Sequence, residues 1–335
     1  MNDPLKTSSR NGQADVARTK EAAETFLSNV ARVIVGKRKI MELVFVSLLT
    51  EGHVLLEDVP GVGKTMLAKA AAKSLDCSFR RIQCTPDLLP SDVVGISFFN
   101  QKTSEFEFRQ GPIASNIVLV DEINRAMPRT QSCLLECMQE QQVTVDLETV
   151  QLPRPFMLLA TQNPIELEGT FPLPEAQLDR FLIKIKLGYP SPEEEASVLS
   201  RFQEASPLDD LPCVLGSRDL MDLQHACRKV HVEKSVREYI VAVTRATREH
   251  PEVKLGASPR AALGLQSASQ AFAAMQGRGY VIPDDVKYLA GPVLSHRMIA
   301  KTESVLKGRF AEQIVEEILS TVPVPVEGDE GRPLR

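Results

Sequence analysis

The stretch VLLEDVPGVGKT at residues 54–65 constrains the fold more than any other part of the chain. It opens with apolar residues that predict a short buried strand, and a turn rich in glycine follows them. Residues 66–75 are mainly alanine, leucine and lysine, without glycine or proline, which favours a helix. A strand, a glycine loop and a helix in this order form the setting that a phosphate-binding loop requires.

The chemistry of such a loop depends on its backbone. Gly61 and Gly63 lack a Cβ atom, so the loop can turn tightly and direct several N–H groups at one anion. We predict that Lys64 reaches the β and γ phosphates of a nucleotide and that the Thr65 hydroxyl holds Mg²⁺. The strict pattern has glycine where this chain has Asp58, whose carboxylate must point away from the phosphates or repel them. The alternative is a glycine-rich turn without a ligand. The predicted nucleotide-binding residues of this stretch are Pro60, Gly61, Val62, Gly63, Lys64, Thr65 and Met66.

The composition is that of a globular protein long enough for two domains, with 335 residues, 43% hydrophobic and 25% charged. The net charge of −5 gives no electrostatic reason to expect nucleic acid as a partner. No run approaches the ~18 apolar residues of a membrane span, and the start MNDPLKTSSRNGQ has no apolar signal-peptide core. We therefore expect a cytoplasmic protein without a membrane span. The cysteines and histidines show no spacing typical of a metal site.

Short apolar strands alternate with helical segments in the first part of the chain, which predicts a parallel sheet flanked by helices. The predicted strands are 54–56, 79–83, 117–120, 156–161 and 181–187. Two polar hairpins, at 97–109 and 143–151, interrupt this alternation. Composition changes at 188–190, and only helices are predicted after it, at 192–204, 217–229, 234–249, 259–276, 284–296 and 311–321. The predicted division is a flexible N-terminus at 1–19, an α/β core at 20–188, a smaller all-α domain at 189–322 and a disordered tail at 323–335.

Polar residues follow three of the predicted strands, and the carboxyl ends of parallel strands meet at one edge of a sheet. Asp121 is predicted to hold Mg²⁺ through its water shell, and Glu122 to polarise the water that attacks the γ phosphate. Asn163 can orient that water through hydrogen bonds. The alternatives are a solvated strand end for the acidic pair and a turn-forming residue before proline for Asn163.

Two arginines are candidates for contacts with phosphate. Arg180 can act as an arginine finger on the phosphate of a neighbouring subunit, or form a local ion pair with Asp179 or Glu175. Arg260 follows Ser258 in a predicted first helical turn, where a cation opposes the helix dipole. A bound phosphate or a nearby carboxylate would stabilise it there.

Together these motifs resemble the MoxR-type AAA+ ATPases over residues 20–320. The strings that carry the resemblance are EDVPGVGKT at 57–65, TPDLLPSDVVG at 85–95, GPI at 111–113, LVDEINRA at 119–126, LLECMQE at 134–140, LATQNP at 159–164, EGTFPLPEAQLDRF at 168–181 and GASPRA at 256–261. The resemblance implies a P-loop AAA+ core with a helical lid, rings that are usually hexamers, and hydrolysis of ATP with Mg²⁺ at subunit junctions.

The resemblance also implies individual roles by matching position. Lys64 and Thr65 match Walker A, Asp121 and Glu122 Walker B, Asn163 sensor 1, Arg180 the arginine finger and Arg260 sensor 2. Val35 and Gly36 resemble the segment that packs on adenine. The two hairpins resemble the helix-2 insert and the pre-sensor-1 hairpin. A client protein or a von Willebrand A domain protein is the implied partner.

Our leading hypothesis is an ATP-driven, chaperone-like motor that remodels or matures partner proteins. One alternative is a nucleotide-gated interaction module with little turnover, which the intact set of hydrolytic residues disfavours. Another is a DNA-acting motor. The hairpin at 97–109 balances Lys102 and Arg109 against Glu105 and Glu107, so it offers no basic surface for DNA.

Overall fold

The computed structural model describes residues 4–59, 61–145, 148–163 and 169–325. Pro60, the tip of the second predicted hairpin at 146–147 and most of the predicted tail, from residue 326 onward, lie outside the described residues. The chain divides into two compact units, Glu21–Gln224 and the combination of Met1–Lys20 with His225–Arg335. None of the helices in the described ranges is long and apolar enough to cross a membrane.

The elements up to residue 228 include the predicted sheet. The helices are α1 Pro4–Val30, α2 Arg38–Leu49, α3 Lys64–Ser74, α4 Pro90–Val94, α5 Pro128–Glu140, α6 Glu175–Leu178, α7 Pro192–Arg201 and α8 Ser217–Arg228. The strands are β1 Val54–Glu57, β2 Phe79–Gln83, β3 Gly95–Asn100, β4 Glu105–Gln110, β5 Ile117–Asp121, β6 Gln142–Val145, β7 Glu148–Gln151, β8 Met157–Gln162 and β9 Ile183–Ile185. A short 3₁₀ turn, Ile123–Arg125, follows β5.

Five strands form one parallel sheet in the order β2-β5-β8-β1-β9. Its central strands β5 and β8 are buried along nearly their whole length. A strand buried on both faces needs apolar side chains in succession, which is why these strands read as continuous apolar runs. The predicted parallel sheet is confirmed.

The strand order brings three carboxyl ends together at one edge, because β8 lies between β5 and β1. The register pairs Gln83 of β2 with Asp121 of β5, and Glu57 of β1 with Gln162 of β8. Every loop that leaves this edge therefore starts close to its neighbours, and the candidate site lies there.

The two predicted hairpins are present as separate antiparallel pairs, β3 with β4 and β6 with β7. The first hairpin exposes several large apolar side chains, among them Phe99 and Phe106. The two rings pack edge to face, with 5.3 Å between their centroids. Charge is balanced on this hairpin, as the sequence indicated.

The second unit is mainly helical, as predicted. Its remaining elements are α9 Lys234–Glu249, β10 Val253–Leu255, α10 Pro259–Met275, α11 Pro283–Leu294, a 3₁₀ turn Ser295–Arg297, β11 Ile299–Ala300, α12 Thr302–Leu306 and α13 Ala311–Thr321. The helices predicted from the sequence are present close to their expected ends. The structure adds the antiparallel pair β10 with β11, which the expectation of helices alone did not include.

The limits of the units differ from the expected ones at two places. A helix runs through residues 4–19, which the sequence analysis expected to be flexible. Residues 189–224 belong to the unit that contains the sheet, whereas the sequence analysis began the helical domain at residue 189. The change of composition therefore marks the end of the sheet. The limits of the functional domains stay a prediction.

Candidate functional site

The loop after β1 has the backbone geometry of an anion-binding loop. Gly61 and Gly63 have φ values of 86° and 93°, a region that residues with a Cβ rarely adopt. A Cβ at either position would meet no atom within 4 Å, so the requirement for glycine is conformational and not steric. Gly63 caps α3 without a side-chain hydrogen bond, which leaves the first N–H groups of the helix available to a ligand.

Lys64 lies folded over this loop. Its Nζ donates hydrogen bonds to the carbonyl oxygens of Asp58 at 2.9 Å and Val59 at 3.1 Å. The ammonium group is therefore held at the loop by neutral acceptors. Phosphate oxygens are stronger acceptors for a charged donor and can replace them.

Asp58, the departure from the strict loop pattern, directs its carboxylate away from the glycines. One oxygen accepts a hydrogen bond from the N–H of Val59 at 3.1 Å. The other accepts from the N–H groups of Leu187 and Gly188, the latter at 2.8 Å. The side chain is buried and anchors the loop to the segment after β9, which explains how an acidic residue is accommodated beside a phosphate site.

A cavity of about 340 Å³ opens at the carboxyl edge of the sheet. Its lining consists of Gly61, Gly63, Lys64, Thr65, Met66, Arg81, Gln83, Asp121, Glu122, Thr161 and Asn163. The structure thus brings five of the predicted loop residues together with the predicted acidic pair and Asn163. Their roles in binding and hydrolysis stay predictions.

Asp121 is held from two sides at the end of β5. Its Oδ2 accepts hydrogen bonds from Nε and Nη2 of Arg81 at 3.0 and 2.6 Å. Its Oδ1 accepts from the hydroxyl of Thr161 at 2.6 Å, and the same hydroxyl accepts from the N–H of Glu122 at 2.8 Å. Thr161 therefore fixes the relative position of the two acidic residues.

Glu122 adopts a left-handed backbone conformation, with φ 56° and ψ 51°. Residues with a Cβ in this region carry strain, and such strain is frequent at functional sites. The Oε2 atom accepts hydrogen bonds from Gln83 Nε2 at 3.2 Å and from Arg125 Nη1 at 2.9 Å. The carboxylate is thus held by one neutral and one charged donor.

The donor set at the cavity suits magnesium. The Thr65 hydroxyl and the Asp121 carboxylate both line the cavity and both offer oxygen, which small hard cations prefer. Few protein ligands are needed, because Mg²⁺ keeps several waters and takes further oxygens from the nucleotide phosphates.

The sequence motifs did not indicate Arg81, Gln83 or Thr161 as site residues. Arg81 and Gln83 alternate with Ile82 along β2, and this period-two pattern places them on one face of the strand. This pattern could be recognised in the predicted strand 79–83. The sequence does not show the order of the strands in the sheet, and only this order shows that β2 lies beside β5.

Among the described residues of the unit that contains the sheet, four of the predicted site residues do not line the cavity. Val62 belongs to the loop but is absent from the lining, as are Val35 and Gly36. Gly36 has φ 73°, a left-handed conformation that favours glycine, and a Cβ there would require the Glu194 side chain to move. Arg180 is half-buried just before β9 and also lies outside the lining. The adenine contact and the arginine finger stay predictions.

Arg260 belongs to the other unit. It is exposed in the first turn of α10, which begins where the sequence predicted, with the Ser258 hydroxyl accepting a hydrogen bond from the N–H of Ala261. Its predicted contact with phosphate stays a prediction.

Comparisons with known proteins agree with this geometry. Residues 53–183 match the family model of the ATPase family associated with various cellular activities (AAA), and residues 245–318 match that of the AAA lid domain. The chain is 55% identical to the uncharacterized protein YeaC of Bacillus subtilis over 301 residues, covering 90% of this chain and 94% of that protein. It is 41% identical to Chaperone MoxR1 of Mycobacterium tuberculosis over 323 residues, covering 94% and 85%.

A solved structure shares the fold over almost the whole chain. The crystal structure of a candidate ATPase from Cytophaga hutchinsonii superposes with a TM-score of 0.87 at 39% sequence identity, covering 96% of this chain and 99% of that one. Matches of this extent, together with a glycine loop and an acidic pair around one cavity, show that the chain belongs to the MoxR-type AAA+ ATPases.

Proposed function

We propose that the chain binds and hydrolyses ATP with Mg²⁺ and uses this cycle as a chaperone-like motor that remodels or matures partner proteins. The observation that carries the proposal is the single cavity that Lys64, Thr65, Asp121, Glu122 and Asn163 share. Lys64 supplies a positive charge for the phosphates, and Thr65 and Asp121 supply oxygen ligands for the metal. Glu122 supplies a general base and Asn163 a polar amide. Phosphoryl transfer to water requires groups of these kinds.

The mechanism assigns one task to each group. The N–H groups of the loop and Lys64 bind the phosphates and fix the γ phosphate in line with a water molecule. Glu122 accepts a proton from that water, and Asn163 orients it. Thr65 and Asp121 would hold Mg²⁺, Asp121 through its water shell, and the ion would supply positive charge against the charge that develops on the phosphate oxygens.

Arg180 is proposed to complete the site of a neighbouring subunit in a ring, which we expect to be a hexamer. One observation supports an action across a junction. Arg180 is half-buried and lies outside the lining of the cavity of its own subunit.

The partners in this proposal are client proteins, with a von Willebrand A domain protein as a further candidate. The relative named Chaperone MoxR1 supports a client-directed activity. A cytoplasmic location, expected from the sequence, belongs to the same proposal.

Replacing the general base tests the core of the proposal. Glu122→Gln keeps the size of the side chain but cannot take a proton, so we expect hydrolysis to fall about 10²–10⁴-fold while ATP binding persists. Glu140→Gln is the matched control, because Glu140 is exposed at the end of α5 and away from the cavity. Phosphate release and equilibrium binding of a fluorescent ATP analogue are the measurements. Undiminished turnover in Glu122→Gln would remove Glu122 from the mechanism, and binding without release by the wild type would support the interaction module instead.

A mixing experiment tests the proposed ring. In the proposed ring, each active junction needs Glu122 from one subunit and Arg180 from the next. The Arg180→Ala variant keeps Glu122 but lacks Arg180, and the Glu122→Gln variant keeps Arg180 but lacks Glu122. Rings made of one variant alone therefore have no complete junction. Mixed rings contain some junctions with both halves intact, and we therefore expect hydrolysis above the mean of the two separate variants. An activity equal to that mean would show that Arg180 does not act across a junction.

A further inference from the structure

Arg81 connects the two acidic residues of the cavity through a continuous line of hydrogen bonds. Its Nη2 donates to Asp121 Oδ2 at 2.6 Å and also to Gln83 Oε1 at 2.7 Å. The Nε2 of Gln83 in turn donates to Glu122 Oε2 at 3.2 Å. Nη2 of Arg81 therefore contacts Asp121, on the metal side of the site, directly, and it is connected to Glu122, on the base side, through the amide of Gln83.

These contacts occupy one oxygen of the carboxylate that the metal needs. A carboxylate oxygen has two lone pairs, and Oδ2 of Asp121 accepts two hydrogen bonds from Arg81. Oδ1 uses one of its two lone pairs for the hydrogen bond from Thr161. The water shell of a metal ion can reach Oδ2 only after Arg81 has moved, and two cations beside one oxygen also repel each other.

The surroundings allow Arg81 to move. It lies on β2, one of the two edge strands of the sheet, and its side chain is 49% exposed. An ion pair at this exposure contributes little to folding stability, so the stability of the fold does not explain the arrangement. When the guanidinium leaves, Gln83 Oε1 loses its donor and the amide that holds Glu122 is free to turn.

We propose that Arg81 is a positioning residue that couples the metal side of the cavity to its base side. Without metal, Arg81 stands in for the cation at Asp121 and, through Gln83, keeps Glu122 in place. As Asp121 turns to the water shell of Mg²⁺, Arg81 is displaced into the cavity towards the phosphates, and Glu122 loses the hydrogen bond from Gln83 while it keeps the one from Arg125. This inference rests on the proposed ATPase function.

The test compares Arg81→Met with Arg81→Lys and with Arg80→Met. Methionine removes the charge and all donors at similar length, whereas lysine keeps the charge but lacks the planar fork that can serve two acceptors in fixed directions. Arg80 is the matched control, since it is the preceding residue on β2, is exposed and lies on the opposite face of the strand. The first readout is Mn²⁺ binding to the ADP-loaded protein by electron paramagnetic resonance, and the second is kcat for ATP at saturating Mg²⁺.

The two readouts are expected to move in opposite directions in Arg81→Met. Mn²⁺ affinity should rise about two- to fivefold, the size expected for the loss of one competing half-exposed ion pair. The kcat should fall about tenfold, because the displaced guanidinium no longer stabilises charge on the phosphates. Arg81→Lys should leave Mn²⁺ affinity close to that of the wild type while lowering kcat, and Arg80→Met should change neither.

The outcomes separate this inference from the proposed function. Wild-type protein that does not hydrolyse ATP contradicts the proposed function. If the wild type hydrolyses ATP normally and Arg81→Met binds Mn²⁺ with the same affinity as Arg80→Met, the inference is wrong while the proposed function stands. A fall in both affinity and kcat would also overturn it, because general damage to the site weakens both.

Discussion

Two arginine–aspartate pairs, one in each unit of the chain, use the same chemistry in different geometries. In the helical unit, Nη1 of Arg278 donates to Asp285 Oδ2 at 2.8 Å and Nη2 donates to Oδ1, so the two nitrogens contact different oxygens of the carboxylate. At the cavity, Nε and Nη2 of Arg81 both donate to a single oxygen of Asp121. The aspartate side chains are 2% exposed in the helical unit and 13% at the cavity, and the arginine side chains are 24% and 49% exposed.

The difference shows how burial separates a structural ion pair from an exchangeable one. Two parallel hydrogen bonds from arginine to a buried carboxylate are difficult to exchange, because water cannot reach the carboxylate to replace the arginine. The N–H of Ile282 also donates to Asp285 at 2.9 Å, which ties the pair to the start of α11. The pair of Arg81 is open to solvent and to ligands, so its partners can change at small cost.

The largest effect should follow the loss of the buried fork. Arg278→Met leaves the carboxylate of Asp285 buried without its counter-ion. We expect the free energy of unfolding to fall by about 3 kcal/mol, at the lower end for a buried pair because Arg278 itself keeps some exposure. Urea unfolding followed by circular dichroism measures this change, and the chain has no tryptophan to report it by fluorescence.

Arg245→Met is the matched control in the same unit. Arg245 and Glu249 form an exposed pair one helical turn apart on α9, 3.5 Å between charged atoms. Pairs of this kind contribute about 0.3–0.5 kcal/mol. A loss in Arg278→Met no greater than in the control would refute the distinction between the two kinds of pair.

The sequence alone could predict the features that depend on local patterns. The apolar run of β5 predicted a buried strand, and the helices predicted at 192–204 and 259–276 begin at the residues where α7 and α10 begin. The glycine loop and the acidic pair were found because their spacing along the chain is short. Each of these signals lies within a few residues of the element that it specifies.

The features that were missed depend on contacts between distant segments. Arg81 and Thr161 belong to the site only because β2 and β8 lie on either side of β5, and no local pattern contains that order. The pair β10 with β11 was missed because strands of three and two residues are too short to show a period. The orientation of Asp58 depended on Leu187 and Gly188, far along the chain.

His53 extends the comparison to a neutral polar group that has no exchangeable partner. Its Nε2 donates to the carbonyl of Met138 at 2.9 Å, and its Nδ1 accepts from the N–H of Leu158 at 3.0 Å, at the opposite end of the sheet from the cavity. Burial lowers the pKa of His53 from 6.5 to about 4. The unfolded chain therefore binds a proton between pH 6.5 and 4 that the folded chain does not, so this contribution to stability is fully present above about pH 6.5 and is lost as the pH falls towards 4.

We expect the wild type to lose on the order of 3 kcal/mol of stability over this interval because of His53. Urea unfolding at pH 7 and at pH 5 should show a smaller difference for His53→Gln than for the wild type. His231→Gln, which removes an exposed histidine beside Glu233, should keep the wild-type difference. An equal difference in all three proteins would mean that His53 does not carry the pH dependence.

Asp58 is an intermediate case, a carboxylate beside the cavity whose partners are backbone N–H groups. Asp58→Asn keeps one acceptor oxygen of two, so at least one of the buried N–H groups loses its partner. We expect a loss of about 1–3 kcal/mol in the free energy of unfolding. Asp210→Asn, an exposed replacement of the same type, is the control. Unchanged stability with tighter nucleotide binding would instead show that the carboxylate acts mainly by repelling phosphate.

The smallest change in stability should come from the pair at the cavity itself. Arg81→Met removes an ion pair that is 49% exposed on its arginine side, and we expect a loss of only about 0.2–1 kcal/mol. Because water and ions reach this pair, the loss should shrink further at about 1 M salt, where the screening length is about 3 Å. Unfolding in urea at low and high salt measures both quantities. A loss that matches that of Arg278→Met and does not respond to salt would mean that Arg81 is part of the folded framework, and Asp121 would then have no exchangeable partner to give up when a metal binds.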